Sequence, residues 1–416
     1  IDLLVWYHLA WMGETVRRSN LLVKQLMAKG TGFTLHDRRQ LLKLIGELLS
    51  SVIDRYRELA EKGQIELSMS PYAHPILPLL LDLETARDAM PDVAMPQLQA
   101  YPGGEERVDW HIKEGLDTFE QYFGMRPVGC WPSEGGVSAA TLQKLEDHGF
   151  TWAASGESVF RHSQANKENA SLAGGSLYQG FTVAGGELAC FFRDDGLSDL
   201  IGFTYSDWHA DDAVANLIEH LENIAASTRG QENPLVSIIL DGENAWEHFP
   251  ENGYYFLNTL YQRLSEHADL KMTTYSDYLA AARNQPDIKR LVSGSWVYGT
   301  FSTWIGDRDK NRGWDMLGDA KKVFDQTVTE NELSGEQLLA ARHQLSICEG
   351  SDWFWWFGDY NSADTVSDFE RLYRVHLSNL YTMLGKEPPE YLSTVFAHGG
   401  GSPAQSGVMR KGQYAG

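Results

Sequence analysis

The chain has 416 residues, and 35 Lys+Arg against 57 Asp+Glu give a formal charge of −22. At roughly 100–200 residues per domain, this length predicts two to three domains with a sizeable core. A composition of 43% hydrophobic and 22% charged residues excludes disorder for most of the chain. The acidity argues against nucleic acid or an anionic membrane surface as partner, since both need a cationic face, and no apolar run approaches the ~18 residues of a membrane span. Cys130, Cys190 and Cys348 form no C-x-x-C pair, which argues against a disulfide scaffold or a cysteine-built zinc site and fits a reducing compartment. The start, Ile1 to Trp6, reads as a strand-like run without a charged leader; no signal peptide is expected, the natural N-terminus is expected upstream, and the location is expected to be cytoplasmic.

Apolar residues at three- and four-residue steps predict a long helix over Arg38–Lys62, stopped by Gly63. Ile65–Ser70 alternates like a short strand and runs into the proline-bracketed loop Pro71–Pro75. The cycle repeats: a helix over Glu105–Phe123, a strand at Val128–Trp131, a Ser-Glu-Gly-Gly loop, a helix over Ser138–His148 and a strand at Phe150–Ala153. Leu188–Arg193 reads as a strand, Asp211–Ala226 as a helix, and Leu235–Leu240 as a buried strand ending in Asp241-Gly242-Glu243. Alternating strands and helices predict a parallel α/β sheet, open or closed into a barrel. From Arg312 three helical stretches follow without a strand, which predicts a helical second domain, and the tail from Gly399 has no periodicity. The expected divisions are residues 1–290, 291–390 and a flexible 391–416.

In such sheets, chemistry sits on loops leaving the C-terminal ends of strands. His74, Glu134 and Asp241 occupy those positions. Two carboxylates on neighbouring strand ends suffice for glycoside hydrolysis, one as nucleophile and one as proton donor, and a separation of about 5–5.5 Å gives retention. A carboxylate after a strand also serves as a helix N-cap, worth about 1 kcal/mol. Trp131 precedes Glu134 and Trp246 follows Asp241, and indole faces stack on the C–H faces of sugars, which favours a carbohydrate. The Ser295–Gly306 stretch, with Trp296 and Trp304, is a candidate outer subsite. The three Asp of Arg193–Asp199 raise a calcium loop, though their spacing departs from D-x-D-x-D-G. No His spacing builds a metal centre, so neither metal nor cofactor is expected.

These motifs resemble glycoside hydrolase family 57. Gly63-Gln64-Ile65-Glu66-Leu67 is similar to its second conserved region, Trp131-Pro132-Ser133-Glu134 to the third, Leu240–Glu247 to the fourth, and Glu349–Trp356 to the fifth. The family's first region, a His-Gln-Pro strand, has no counterpart here. The resemblance implies an incomplete (β/α)-barrel of the seven-stranded type followed by a helical domain. It implies an α-glucan substrate, Glu134 as nucleophile and Asp241 as general acid/base. It further implies sugar-binding roles for Glu66, His74, Trp131, Glu243, Trp246, Asp352 and Trp355, with Trp304 in an outer subsite. Hydrolysis, 4-α-glucanotransfer and branching remain alternatives, as does an impaired carbohydrate-binding homologue. The sequence leaves the oligomeric state open.

Overall fold

The computed structural model describes residues 1–242, 246–282, 284–330 and 333–401. Its centre is a parallel sheet of three short strands, β1 (Gly129–Cys130), β2 (Trp152–Ser155) and β4 (Ala189–Phe192), with β2 in the middle. The register pairs Gly129 with Trp152 and Ser155 with Phe192. Every residue of these strands is buried, because both faces are covered. Alternation divides them cleanly. Cys130, Ala153, Cys190 and Phe192 enter the main core, while Trp152, Ala154, Ala189 and Phe191 form a second face with Tyr278. A separate parallel pair joins β3 (Thr182–Val183) to β5 (Asp287–Ile288).

The expected Ile65–Ser70 strand survives as one bridge: Met69 donates to the Gly129 carbonyl at 3.2 Å and accepts from the Trp131 N–H at 2.9 Å. The Leu235–Leu240 run is a correction. It forms no strand. Its backbone is held instead by loops and side chains, with Leu235 donating to Tyr178, Ser237 accepting from the Asp194 N–H at 2.8 Å, and Ile239 bonded to Ser198. Among the described residues the sheet is therefore smaller than a seven-stranded barrel, and α/β with short parallel strands describes it.

Ile1–Trp6 is also corrected, since Asp2–Ala10 is a helix. Val5 and Leu9 stand one turn apart and pack with Val23, Leu26 and Leu41, so the apolar run follows the helical period. The predicted Arg38–Lys62 helix is two, Leu35–Ser50 and Val52–Glu61, the first opened by a Thr34/Asp37 capping box. The helices at Gly104–Phe123, Ala139–Asp147 and Ala210–Ser227 lie where the periodicity places them.

Beyond residue 307 the described residues form the α-helices Arg308–Thr329, Gly335–Cys348, Ser351–Trp356 and Ala363–Met383. These helices share the main core with the sheet. A buried ionic cluster joins the two parts. Glu349 accepts from Arg107 at 2.7 and 2.9 Å, from the Tyr101 hydroxyl at 2.5 Å, and pairs with the His111 imidazole at 2.7 Å. Lys310, fully buried, donates its ammonium to the carbonyls of Phe354 and Phe357 and so closes the C-terminal end of the Ser351–Trp356 helix. No helix among the described residues is long and apolar enough to cross a membrane.

Candidate active site

A cavity of about 770 Å³ lies against the sheet face that carries Trp152 and Ala154. Glu66, Ser68, Ser70 and His74 contribute one side, Trp131, Trp152 and Trp296 another, and the Leu235–Gly242 segment with Thr273–Tyr275 the rest. Polar groups over aromatic walls are what a sugar site needs, because hydroxyls take hydrogen bonds while C–H faces lie on rings.

Glu66 sits in the cavity on a fixed carboxylate. It accepts from the Trp152 indole at 2.8 Å, from the Ser276 N–H at 3.1 Å, and from the Ser276 hydroxyl. Trp152 reaches it by crossing its neighbour on β1, where a Cβ on Gly129 would stand 2.0 Å from the indole ring. Only glycine fits there. The pairing of Glu66 is thus with an indole and a serine.

His74 and Glu134, chosen from sequence for their places after strands, share a backbone feature. Both have φ in the left-handed region, +56° and +58°, which a non-glycine residue adopts at a cost of about 1 kcal/mol or more, and such positions concentrate at functional sites. His74 is fixed from the Ser351–Trp356 helix. Its Nδ1 lies 2.8 Å from the Ser351 hydroxyl, and its carbonyl accepts from the Ser351 N–H.

Glu134 is half-buried in the tight turn Ser133–Gly135. The turn is anchored by the Ser155 hydroxyl on the Gly135 carbonyl at 2.6 Å and by an antiparallel bridge from Val137 to Gly294. That bridge sets Trp296 beside Glu134: the indole donates to Oε2 at 3.0 Å, and the Trp296 N–H donates to the Glu134 carbonyl. Glu134 does not line the cavity itself; its carboxylate is tied to the wall through Trp296. The capping alternative fails here, because Ser138 caps the following helix. Trp131 meets Trp296 edge to face, with centroids 5.3 Å apart. Asp241 lines the cavity at the end of the Leu235 segment.

The remaining expectations divide. Glu243 lies outside the described residues. Trp246 is half-buried, is not among the cavity's lining residues, and packs on Phe249 and Phe256 in a second core cluster that Val236 and Leu240 of the cavity wall also join. Trp304 is corrected: it is fully buried against Trp355 and has no open face to offer a sugar. Trp355 is buried in the same core, and Asp352 is exposed without lining the cavity. The aromatic run is thus packing. Trp353 donates to the Ile347 carbonyl and Trp356 stacks on Phe369, while Ser351 reaches the site through His74. The Arg193–Asp199 segment is no calcium loop, since Arg193 takes Asp195 and Asp199 at 2.7 Å each and Asp194 caps a helix. Burial pushes the Asp195 carboxyl up to about 6 against the opposing pull of Arg193. Sequence reasoning missed Trp152, Ser237 and Tyr275 as lining residues. It also weighted Trp304 over Trp296, although Trp296 stands two residues before Tyr298 and Gly299, both at positive φ.

A family model described as glycosyl hydrolase family 57 matches residues 5–289. The chain belongs to that family. A stretch of 106 residues is 26% identical to a 1,4-alpha-glucan branching enzyme of Thermococcus kodakarensis, covering 26% of this chain and only 12% of that enzyme's length. Among solved structures, a family 57 branching enzyme from Pyrococcus horikoshii superposes with a TM-score of 0.62 at 14% identity, covering 94% of this chain and 79% of the other. An alpha-amylase from Thermotoga maritima gives 0.61 at 15% identity, covering 94% and 80%. At these identities the family 57 chain shares their fold.

Proposed function

We propose that this chain acts on α-1,4-glucans by a retaining mechanism, with Glu134 as nucleophile and Asp241 as general acid/base. The observation that carries this is the cavity that holds Asp241 and the Trp296 indole bonded to Glu134 among aromatic walls. The Glu134 carboxylate attacks the anomeric carbon as the Asp241 carboxyl gives its proton to the departing oxygen. Asp241 then takes the proton of water, or of an acceptor hydroxyl, which displaces Glu134. Trp131 and Trp296 serve as stacking walls, Glu66 and His74 as partners for hydroxyls, and Glu243 belongs to the same proposal on its motif alone. A strand-poor version of the family's barrel supports this site, and the three free, buried cysteines fit a reducing cytoplasm. Branching is the second reading, favoured by the local identity to a branching enzyme.

Chromatography of the products from maltoheptaose and amylose separates these outcomes. Shorter oligosaccharides alone mean hydrolysis, longer ones mean 4-α-glucanotransfer, and new α-1,6 branch points mean branching. The absence of any product from all α-glucans tested contradicts the proposal.

His74 gives a smaller expectation. Ser351→Ala removes the partner of Nδ1, and one such hydrogen bond is worth about 1 kcal/mol, so kcat/KM is expected to fall about fivefold. His74→Ala is expected to cost more, and steady-state kinetics on maltoheptaose with both variants check the order.

A further inference from the structure

Arg193 follows β4 and is 5% exposed. All its nitrogen atoms are engaged. Nε donates to the Ile239 carbonyl at 2.9 Å, Nη1 to Asp195 and Nη2 to Asp199, each at 2.7 Å. Its guanidinium carbon also stands 5.5 Å from the centroid of the Trp296 ring, within the range of a cation–π contact. Two of these contacts lead to the cavity wall. Ile239 lies two residues before Asp241 on a segment with no strand ladder to hold it. Trp296 donates its indole N–H to Glu134. A cation against the ring face fixes the indole's tilt, and with it the N–H on the carboxylate.

We infer that Arg193 is a positioning residue that sets Glu134, through Trp296, and Asp241, through the Ile239 carbonyl, relative to one another. The planar fork suits this task, because Nη1 and Nη2 are held by Asp195 and Asp199 while Nε and the ring contact reach Ile239 and Trp296, which both line the cavity. Lysine carries the charge but has no rigid fork, so it cannot serve both directions at once. The inference rests on the proposed roles of Glu134 and Asp241.

Arg193→Met alone removes the cation that faces two buried aspartates and is expected to compromise folding, so the test uses Arg193→Lys and the triple variant Arg193→Met/Asp195→Asn/Asp199→Asn, which carries no charge at these positions. Two readouts are taken on folded protein. In [15N]Trp-labelled protein, the Trp296 indole resonance, assigned by Trp296→Phe, is expected to shift in both variants as its bond to Glu134 loosens. On maltoheptaose, kcat is expected to fall about 100-fold in the triple variant with KM within threefold, and Lys is expected to restore thermal stability but not kcat. An unmoved indole resonance overturns the inference whatever the activity. A kcat within threefold of wild type, or full recovery by Lys, overturns it as well. Wild-type protein inactive on every α-glucan, with the indole shift present, counts against the reading of function while the coupling of Arg193 to Glu134 stands.

Discussion

Glu134→Gln is expected to lower kcat by 10⁴-fold or more on every α-glucan, a loss of about 5 kcal/mol, because no glycosyl-enzyme can form without the carboxylate. The amide retains the bond from the Trp296 indole, so the fold and the wall of the cavity should be unchanged. Asp241→Asn is expected to behave differently. A substrate whose leaving group needs no proton, such as an aryl α-glucoside with an acidic phenol, should still glycosylate Glu134, and the ester should then persist for want of a general base. Azide separates the roles. It should rescue the Asp241 variant as an α-glycosyl azide and a Glu134→Gly variant as a β-glycosyl azide; the reverse pattern would mean that the two roles are exchanged.

Glu349→Ala is expected to cost about 3–5 kcal/mol of stability, measured as the free energy of urea unfolding at pH 7. The reason is the Arg107 guanidinium, 2% exposed, which would keep its charge without a carboxylate partner, together with the Tyr101 hydroxyl and His111 Nε2, which would lose theirs. Glu349→Gln retains one acceptor oxygen and should lose less. The same cluster sets an acid limit. Burial alone would raise the Glu349 carboxyl, but Arg107 and His111 outweigh it and hold it down at about 2, against an ordinary 4.5. A carboxyl depressed in the folded state stabilises above its unfolded pKa and loses that stabilisation as pH falls through the folded one. Wild-type stability should therefore drop between about pH 4.5 and 2, and part of that drop should vanish in Glu349→Gln. An alanine variant within 1 kcal/mol of wild type would contradict this account of the cluster.

What the sequence showed and what it hid follow from how each signal arises. Helices were legible because Leu41, Leu116 and Leu217 belong to long periodic runs whose buried faces recur each turn. Strands of two to four residues carry little periodicity, so their positions came from the turns around them, and Leu235–Leu240 looked like a core strand although Ile238 is 36% exposed. At the site, Glu134 and His74 were visible because local motifs place them after strands. Trp304 and Trp355 were misjudged for a different reason. An indole at a subsite and an indole in a core have the same local sequence, and only the packing of residues far apart in the chain separates them. Arg193 stood in a segment that attracted notice for its aspartates, yet its link to Trp296 spans about a hundred residues and has no local trace.

The central claim is a covalent intermediate on Glu134, and the most direct test is to trap it. Asp241→Asn protein is mixed with an activated α-glucosyl fluoride, quenched in acid, digested and read by mass spectrometry. The account predicts one added glucosyl unit, carried by the peptide that contains Glu134 and lost when Glu134→Gln is also present. A sugar attached to any other carboxylate, or turnover with inversion and no adduct, would contradict it.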